Sequence, residues 1–146
     1  MTEPLDWRPG DFPYSIDVPT RWGDNDMLQH LNNVAYNRMI ETVVVHFTLG
    51  PLGIDWRKDP IYPIVVESLC RFHRQLSFPE IIRVGLRAGG MGNSSVTYEI
   101  GMFGEDGDVP GATGHFIHVF IDKETQKSAP IPDHIRAKIT EHGMQA

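Results

Sequence analysis

Arg21-Trp22-Gly23-Asp24-Asn25-Asp26-Met27-Leu28-Gln29-His30-Leu31-Asn32-Asn33-Val34-Ala35-Tyr36 sets two carboxylates, a histidine and two asparagines between a strand-like segment and an amphipathic helix. Upstream, Tyr14 to Trp22 alternates apolar and polar residues, with Pro19 marking a bulge or an edge. Downstream, Tyr36, Met39, Ile40, Val43, Val44 and Phe47 recur at helical spacing and form one apolar stripe. Asn32 or Asn33 can cap that helix, and Gly50-Pro51 ends it. The β-branched run Val43–Val45 disfavours a helix slightly, but burial of the stripe outweighs propensity. A helix with one apolar face needs a sheet to lie on. A strand-to-helix turn of this composition can aim an Asp side chain and free backbone N–H groups at one point, as chemistry on a carbonyl requires.

The remaining chain reads mostly as β. Ile64 to Leu76 is a long strand with Ile64, Val66, Cys70 and Phe72 in one phase. Ile82, Val84 and Leu86 alternate with Arg83, Gly85 and Arg87, and Val96, Tyr98, Ile100 and Met102 alternate with polar residues or glycine. Ala112 to Asp122 is apolar on both faces, which predicts a central strand or one covered by another subunit. Gly89 to Asn93 and Glu105 to Asp108 carry the chemistry of antiparallel turns. Pro132 and Asp133 open a short last helix with Ile135 and Ile139 inward. The expected class is α+β: one antiparallel sheet wrapped around one long helix, in a single domain over residues 1–146 with its core at about 14–140.

The composition, 40% hydrophobic and 22% charged over 146 residues, suits a globular domain. The net charge of −6 argues against nucleic acid or an anionic membrane as partner. From Arg71 to Arg87 four arginines face one acid, Glu80, a local +3. That patch points to an anionic small ligand, or else the arginines occupy the solvated side of strands. Met1 to Pro9 lacks the basic start and apolar core of a leader, and Cys70 is the single cysteine; together these predict a cytoplasmic protein. No metal is expected. Asp24-Asn25-Asp26 starts like a calcium loop, but Leu28 and Gln29 stand where a ligand and a glycine are needed. Cys70 with His73, and His115 with His118, alternate faces on strands and make poor local pairs.

Asp26-Met27-Leu28-Gln29-His30-Leu31-Asn32-Asn33-Val34-Ala35-Tyr36 resembles the Asp-x-x-Gly-His-Val-Asn-Asn-x-x-Tyr signature of hotdog-fold acyl-CoA thioesterases, in particular the 4-hydroxybenzoyl-CoA thioesterase-like branch. The resemblance continues in Gly92 to Tyr98 and in Ala112 to Asp122. It implies a hotdog fold, a homodimer or homotetramer with the active site at a subunit interface, and hydrolysis of an acyl-CoA thioester. Asp26 falls on the catalytic carboxylate, as nucleophile or general base, with N–H groups at the helix start polarising the carbonyl. Coenzyme A enters as part of the substrate, and no separate cofactor is implied. Ser94 and Ser95 fall where the pantetheine or nucleotide part would be contacted. The departure is Gln29, where glycine is common; a side chain there bears on the acyl pocket or the turn.

Each residue also has a plainer role. Asp24 is expected to cap the turn or pair with Arg21. His30, a candidate substrate contact, more simply braces the turn; Asn32 and Asn33, candidates likewise, more simply cap the helix. Two further carboxylates are possible alternatives to Asp26: Glu41, which can pair with Arg38, and Glu67 in mid-strand, where an unpaired charge is costly. Two other classes stay open, a hotdog enoyl-CoA hydratase or dehydratase and a non-catalytic acyl-CoA-binding or regulatory module. The acyl group, and coenzyme A against an acyl carrier protein as carrier, are not legible.

Overall fold

The computed structural model describes residues 3–144; Met1, Thr2, Gln145 and Ala146, at the two ends of the expected domain span, lie outside them. Five strands, β1 (Tyr14–Pro19), β2 (Ile61–Phe72), β3 (Ile81–Met91), β4 (Ser95–Phe103) and β5 (Ala112–Asp122), form one antiparallel sheet in the order β1-β3-β4-β5-β2. The helix α1 (Asn33–Leu49) follows β1 and lies in the hollow of the sheet, and α2 (Asp133–Gly143) closes one end. This is the hotdog arrangement expected from the sequence.

The apolar stripe of α1 faces the sheet. Met39, Ile40, Val43, Val44 and Phe47 are fully buried, against Val84 and Leu86 of β3, Tyr98 and Ile100 of β4 and Phe116 and Phe120 of β5. The side chains that face α1 sit directly across from one another, Leu86 opposite Ile100 and Tyr98 opposite Phe116. A fully buried side chain of this size contributes about 1.5–3 kcal/mol, so this layer dominates stability. No helix among the described residues is long and apolar enough to cross a membrane.

Two strand readings change. A β-bulge between Val65 and Glu67 shifts the register of β2. Ile64 pairs with Val119 on the outer face, whereas Cys70 and Phe72 pair with Gly114 and Ala112 on the helix face. One inserted residue reverses the phase, so the four residues do not share a side. Gly89, Gly90 and Met91 continue β3 through a second bulge, and the turn proper begins at Gly92. The strand β5 is interior, flanked by β4 and β2, while β4 holds the middle of the five. At the edge, β2 exposes Ile64, Val65, Val66 and Phe72 beside an unpaired backbone.

Single turns of 3-10 helix at Pro4–Asp6 and Pro9–Asp11 carry the N-terminal segment across the outer face of the sheet. Trp7, Phe12 and Phe103 form a separate small core there. Phe12 lies over Gly85 and Gly101, where an added Cβ would come within 2.6–2.8 Å of its ring. Arg87 stacks 4.7 Å from the Trp7 ring and reaches Glu99 at 2.9 Å.

Candidate active site

The turn between β1 and α1 is built on Asp24. Asp24 is 4% exposed, and its carboxylate accepts from the Arg21 backbone N–H (2.7 Å), Arg21 Nε (3.3 Å), Arg21 Nη2 (3.1 Å) and Arg38 Nη2 (2.7 Å). Burial alone would raise this carboxyl, but the Arg21 hydrogen bonds and the Arg38 and Arg21 charges outweigh it and hold it below the usual range. Asp24 is thus the structural acid of the turn, as expected from its spacing to Arg21. Arg38 spends its guanidinium on Asp24; the expected pairing of Arg38 with Glu41 does not form, because the buried carboxylate is the stronger partner.

From Asn25 to Leu31 the chain makes a closed loop clamped to residues 76–78. Leu31 N–H donates to the Leu76 carbonyl (2.8 Å), and Phe78 N–H donates to Asn25 Oδ1 (3.0 Å). Within the loop, Asp26 N–H donates to the His30 carbonyl and Gln29 N–H to the Asp26 carbonyl, both at 3.0 Å. Gln29 sits at φ +64°, the left-handed region where glycine is at ease. The departure from the glycine signature therefore leaves the turn intact, and the Gln29 side chain lines a cavity beside it.

Asp26 is exposed at the tip of this loop. Its Oδ1 accepts from Leu28 N–H (2.9 Å), which fixes the rotamer and leaves Oδ2 without a protein partner among the described residues. The carboxylate stands between two cavities. One, of about 310 Å³, is lined by Asp26, His30, Asn33, Tyr36, His73 and Arg74 among others. The second, of about 680 Å³, is lined by Trp22, Asn25, Asp26, Gln29 and Phe78 among others.

At the helix start, Asn32 is the cap: its Oδ1 accepts from Val34 N–H (2.8 Å) and its carbonyl from Ala35 N–H (3.0 Å). The Asn33 N–H has no protein acceptor among the described residues, and Asn33 lines the Asp26 cavity. The expected set of several free N–H groups thus narrows to this one in the first turn, because the cap consumes the next two. The His30 ring does not brace the turn by a hydrogen bond; its Nδ1 is buried without a partner, and the bracing contact is its backbone carbonyl. Tyr36 is core and cavity wall at once, its hydroxyl accepting from Leu76 N–H (3.2 Å).

Reasoning from sequence missed His73. It leaves the end of β2, meets Thr113 Oγ1 at 2.8 Å and faces the Asp26 cavity; burial first, then the Arg71 charge, lowers its basicity. The signal was the polar run His73-Arg74-Gln75 between the end of a long strand and Leu76.

Other candidates lie elsewhere. Glu67 is on the outer face of β2, paired with His115 Nε2 at 2.6 Å and about 17 Å along the strand from Phe72. Glu41 is on the exposed face of α1. Ser95 pairs with Val119, about 23 Å along β5 from Ala112, the residue opposite Phe72. Ser94 and Ser95 therefore do not meet Asp26 within one chain. Of the four arginines, Arg74, Arg83 and Arg87 pair with Asp106, Asp17 and Glu99, so the basic patch of the sequence is largely neutralised by acids from two other strands and the β4–β5 connection. Burial pushes the Cys70 thiol up to about 11, an inert residue at neutral pH.

Residues 20–139 match the sequence profile of the thioesterase-like superfamily. Among solved structures, the chain is 32% identical to the PA5185 protein of Pseudomonas aeruginosa, with a TM-score of 0.87 over 95% of this chain and 97% of that one. A second Pseudomonas aeruginosa protein, PA2801, a putative thioesterase, is 31% identical, with a TM-score of 0.78 over 88% and 98%. A Thermus thermophilus thioesterase solved with coenzyme A and zinc shares the fold at 24% identity, TM-score 0.78, over 90% and 94%.

Proposed function

This chain belongs to the thioesterase-like superfamily, and on that premise we propose that it hydrolyses acyl-CoA thioesters to a free acid and coenzyme A at the Asp26 turn. The observation that carries the reading is the Asp26 carboxylate, fixed through one oxygen by Leu28 N–H and open through the other between two cavities, next to the unengaged Asn33 N–H. The free oxygen attacks the thioester carbonyl, or takes the proton of a water that does. Negative charge growing on the carbonyl oxygen is met by the Asn33 N–H at the positive end of α1. Collapse expels the coenzyme A thiolate, whose pKa near ~8.5 lets it leave with little protonation. Water supplies the hydroxyl of the acid and the proton of the thiol. His30 and Asn33 line the space for the thioester, while Asn32 acts through the cap.

Coenzyme A as carrier is supported by the Thermus thermophilus thioesterase, which holds that molecule on the same fold. A homodimer is supported by the apolar, unpaired edge of β2. Antiparallel pairing of two such edges sets the Ile61 end of one beside the Phe72 end of the other. It carries the partner's Ser94 and the partner's Ser95 to three strand spacings, about 15 Å, from the Asp26 end. In that arrangement the serines contact the pantetheine arm, a role one chain alone cannot give them.

The test is thiol release from a panel of aliphatic and aromatic acyl-CoAs by the wild type and Asp26→Asn. The variant keeps the Oδ1 contact and the fold, so its expected loss of at least ~100-fold reports the carboxylate's chemistry. A folded variant as active as the wild type rejects Asp26. Tight acyl-CoA binding without turnover by the wild type favours the binding-module reading instead.

A further inference from the structure

The covalent branch of the reaction leaves one proton without a taker. When Asp26 attacks, its carboxylate becomes half of a mixed anhydride and can no longer act as a base. The water that then cleaves the anhydride needs another group in the same cavity to accept its proton. We propose that His73 is that base, a catalytic residue of the second half-reaction. The proposal rests on the thioesterase reading of Asp26 and takes its nucleophilic branch.

The backbone holds His73 against the Asp26 loop. Its N–H and that of Arg74 both donate to the Gly111 carbonyl (2.9 and 3.1 Å), so the chain leaves β2 in a fixed direction. Phe72, just before it, packs edge-on to Tyr36 of α1 at 5.1 Å. Leu76, three residues on, accepts from Leu31 N–H (2.8 Å) and donates to the Tyr36 hydroxyl (3.2 Å), which ties the two segments together. Asp26 and His73 therefore share a cavity of about 310 Å³, room for a thioester carbonyl and a water. The ring is held as well. Its Nε2 meets Thr113 Oγ1 at 2.8 Å, while Nδ1 has no protein partner among the described residues and is open to solvent. Thr113 also borders a cavity on the outer face of the sheet, where solvent can accept its hydroxyl proton. Its oxygen is then free to accept from Nε2–H, which leaves the lone pair on Nδ1.

The other polar groups on this wall are poor bases. His30 buries Nδ1 with no partner, so its one proton sits on Nε2; a second would have to sit on Nδ1 without an acceptor, at high cost. Arg74 is engaged by Asp106 (2.9 Å) and the Val109 carbonyl (3.3 Å). The Tyr36 hydroxyl accepts from Leu76 N–H, and burial pushes its pKa up. Asn33 and Gln75 carry amides, which have no basic nitrogen. At His73, burial and the Arg71 charge keep the ring neutral, and hence able to accept, while Asp26 is acylated and uncharged. In the step itself the water oxygen bonds to the acyl carbon as its proton passes to Nδ1. The bond from that carbon to the Asp26 oxygen breaks, and Asp26 leaves as a carboxylate whose regained charge steadies the imidazolium. The proton then goes to the coenzyme A thiolate, so one water is consumed and acid and thiol are formed.

The test separates the two half-reactions. His73→Gln keeps a donor for Thr113 and lacks the base. On an acyl-CoA that the wild type cleaves, kcat and KM are expected to fall together by ~100-fold, with kcat/KM, set by acylation, within about threefold of the wild type. A burst of about one thiol per chain should precede the slow phase. Hydroxylamine, which attacks an anhydride without a base, should restore fast turnover and yield the acyl hydroxamate. Asp26→Asn should show no burst and no gain from hydroxylamine. If Asp26→Asn loses activity while His73→Gln, native by circular dichroism, turns over as fast as the wild type, His73 is rejected and the Asp26 reading stands. A slow His73→Gln whose kcat/KM falls as far as kcat, with no burst, makes the residue structural and also overturns the proposal. Should His73→Gln misfold, His73→Ala takes its place, and failure of added imidazole to restore its turnover counts against the base. No turnover by the wild type, or an unchanged Asp26→Asn, overturns the Asp26 reading and this proposal with it.

Discussion

Lowering the pH from 7 to 4.5 should weaken the fold by roughly 2–3 kcal/mol through His118 alone. This imidazole faces α1 from β5, 5% exposed, edge-on to Phe116 at 5.0 Å and Tyr98 at 6.0 Å. Its Nδ1 is buried with no acceptor, and burial lowers its pKa from 6.5 to about 4. Tyr98, the titratable group against its ring, is itself pushed well up by burial and stays neutral. The unfolded chain takes up a proton below 6.5, whereas the folded chain refuses it until about 4. Stability is therefore whole above 6.5 and is lost progressively as pH falls towards 4. At ~1.36 kcal/mol per pH unit, with slight protonation of the folded form included, the loss at pH 4.5 is roughly 2–3 kcal/mol. Against a total of about 5–15 kcal/mol that is a large fraction. Urea unfolding of the wild type and His118→Leu at both pH values isolates it. Carboxylates such as Asp24 weaken both proteins alike, so the wild type should lose roughly 2–3 kcal/mol more than the variant. Equal losses would mean that His118 is hydrated or partnered in solution, and the buried neutral imidazole would be refuted.

Two further outcomes probe the site turn. Asp24→Asn keeps shape but strips the charge from a carboxylate with four donors; it should cost about 3 kcal/mol, the low end for a broken buried pair, since Arg21 and Arg38 retain access to water. A calorimetric Tm should fall by ~6–12 °C, and a fall below ~2 °C would place the strength of the turn elsewhere. At Gln29 the φ of +64° decides the sign: Gln29→Gly should be neutral or slightly stabilising, whereas Gln29→Val, β-branched, should lose more than ~1 kcal/mol in urea melts. Equal stability of both variants would mean that the loop relaxes to another turn.

What the sequence exposes and what it hides divide along physical lines. The helix over Asn33–Leu49 was legible to the residue because its stripe, cap and stop are local and agree. The bulge at Val65–Glu67 was not, because one extra residue in an apolar run changes no composition, only the partner across the sheet. Arg71 to Arg87 looked like an anion site for the same reason: Asp17, Glu99 and Asp106, which neutralise three of the four arginines, come from other strands and a distant turn. At the site, Asp26 and Asn33 were legible from a contiguous motif, while His73 enters the cavity only because β2 ends beside the start of α1. Ser94 and Ser95 press the point further. The family resemblance implies that they contact coenzyme A, yet one chain holds them at the opposite end of β5 from the Asp26 turn. A motif that reads as one site, split by about 23 Å in the protomer, is accounted for if the site closes between two chains. In the proposed dimer the apolar edge of β2 would serve function as well as packing, since unpairing it would separate Asp26 from the serines proposed to meet the pantetheine arm.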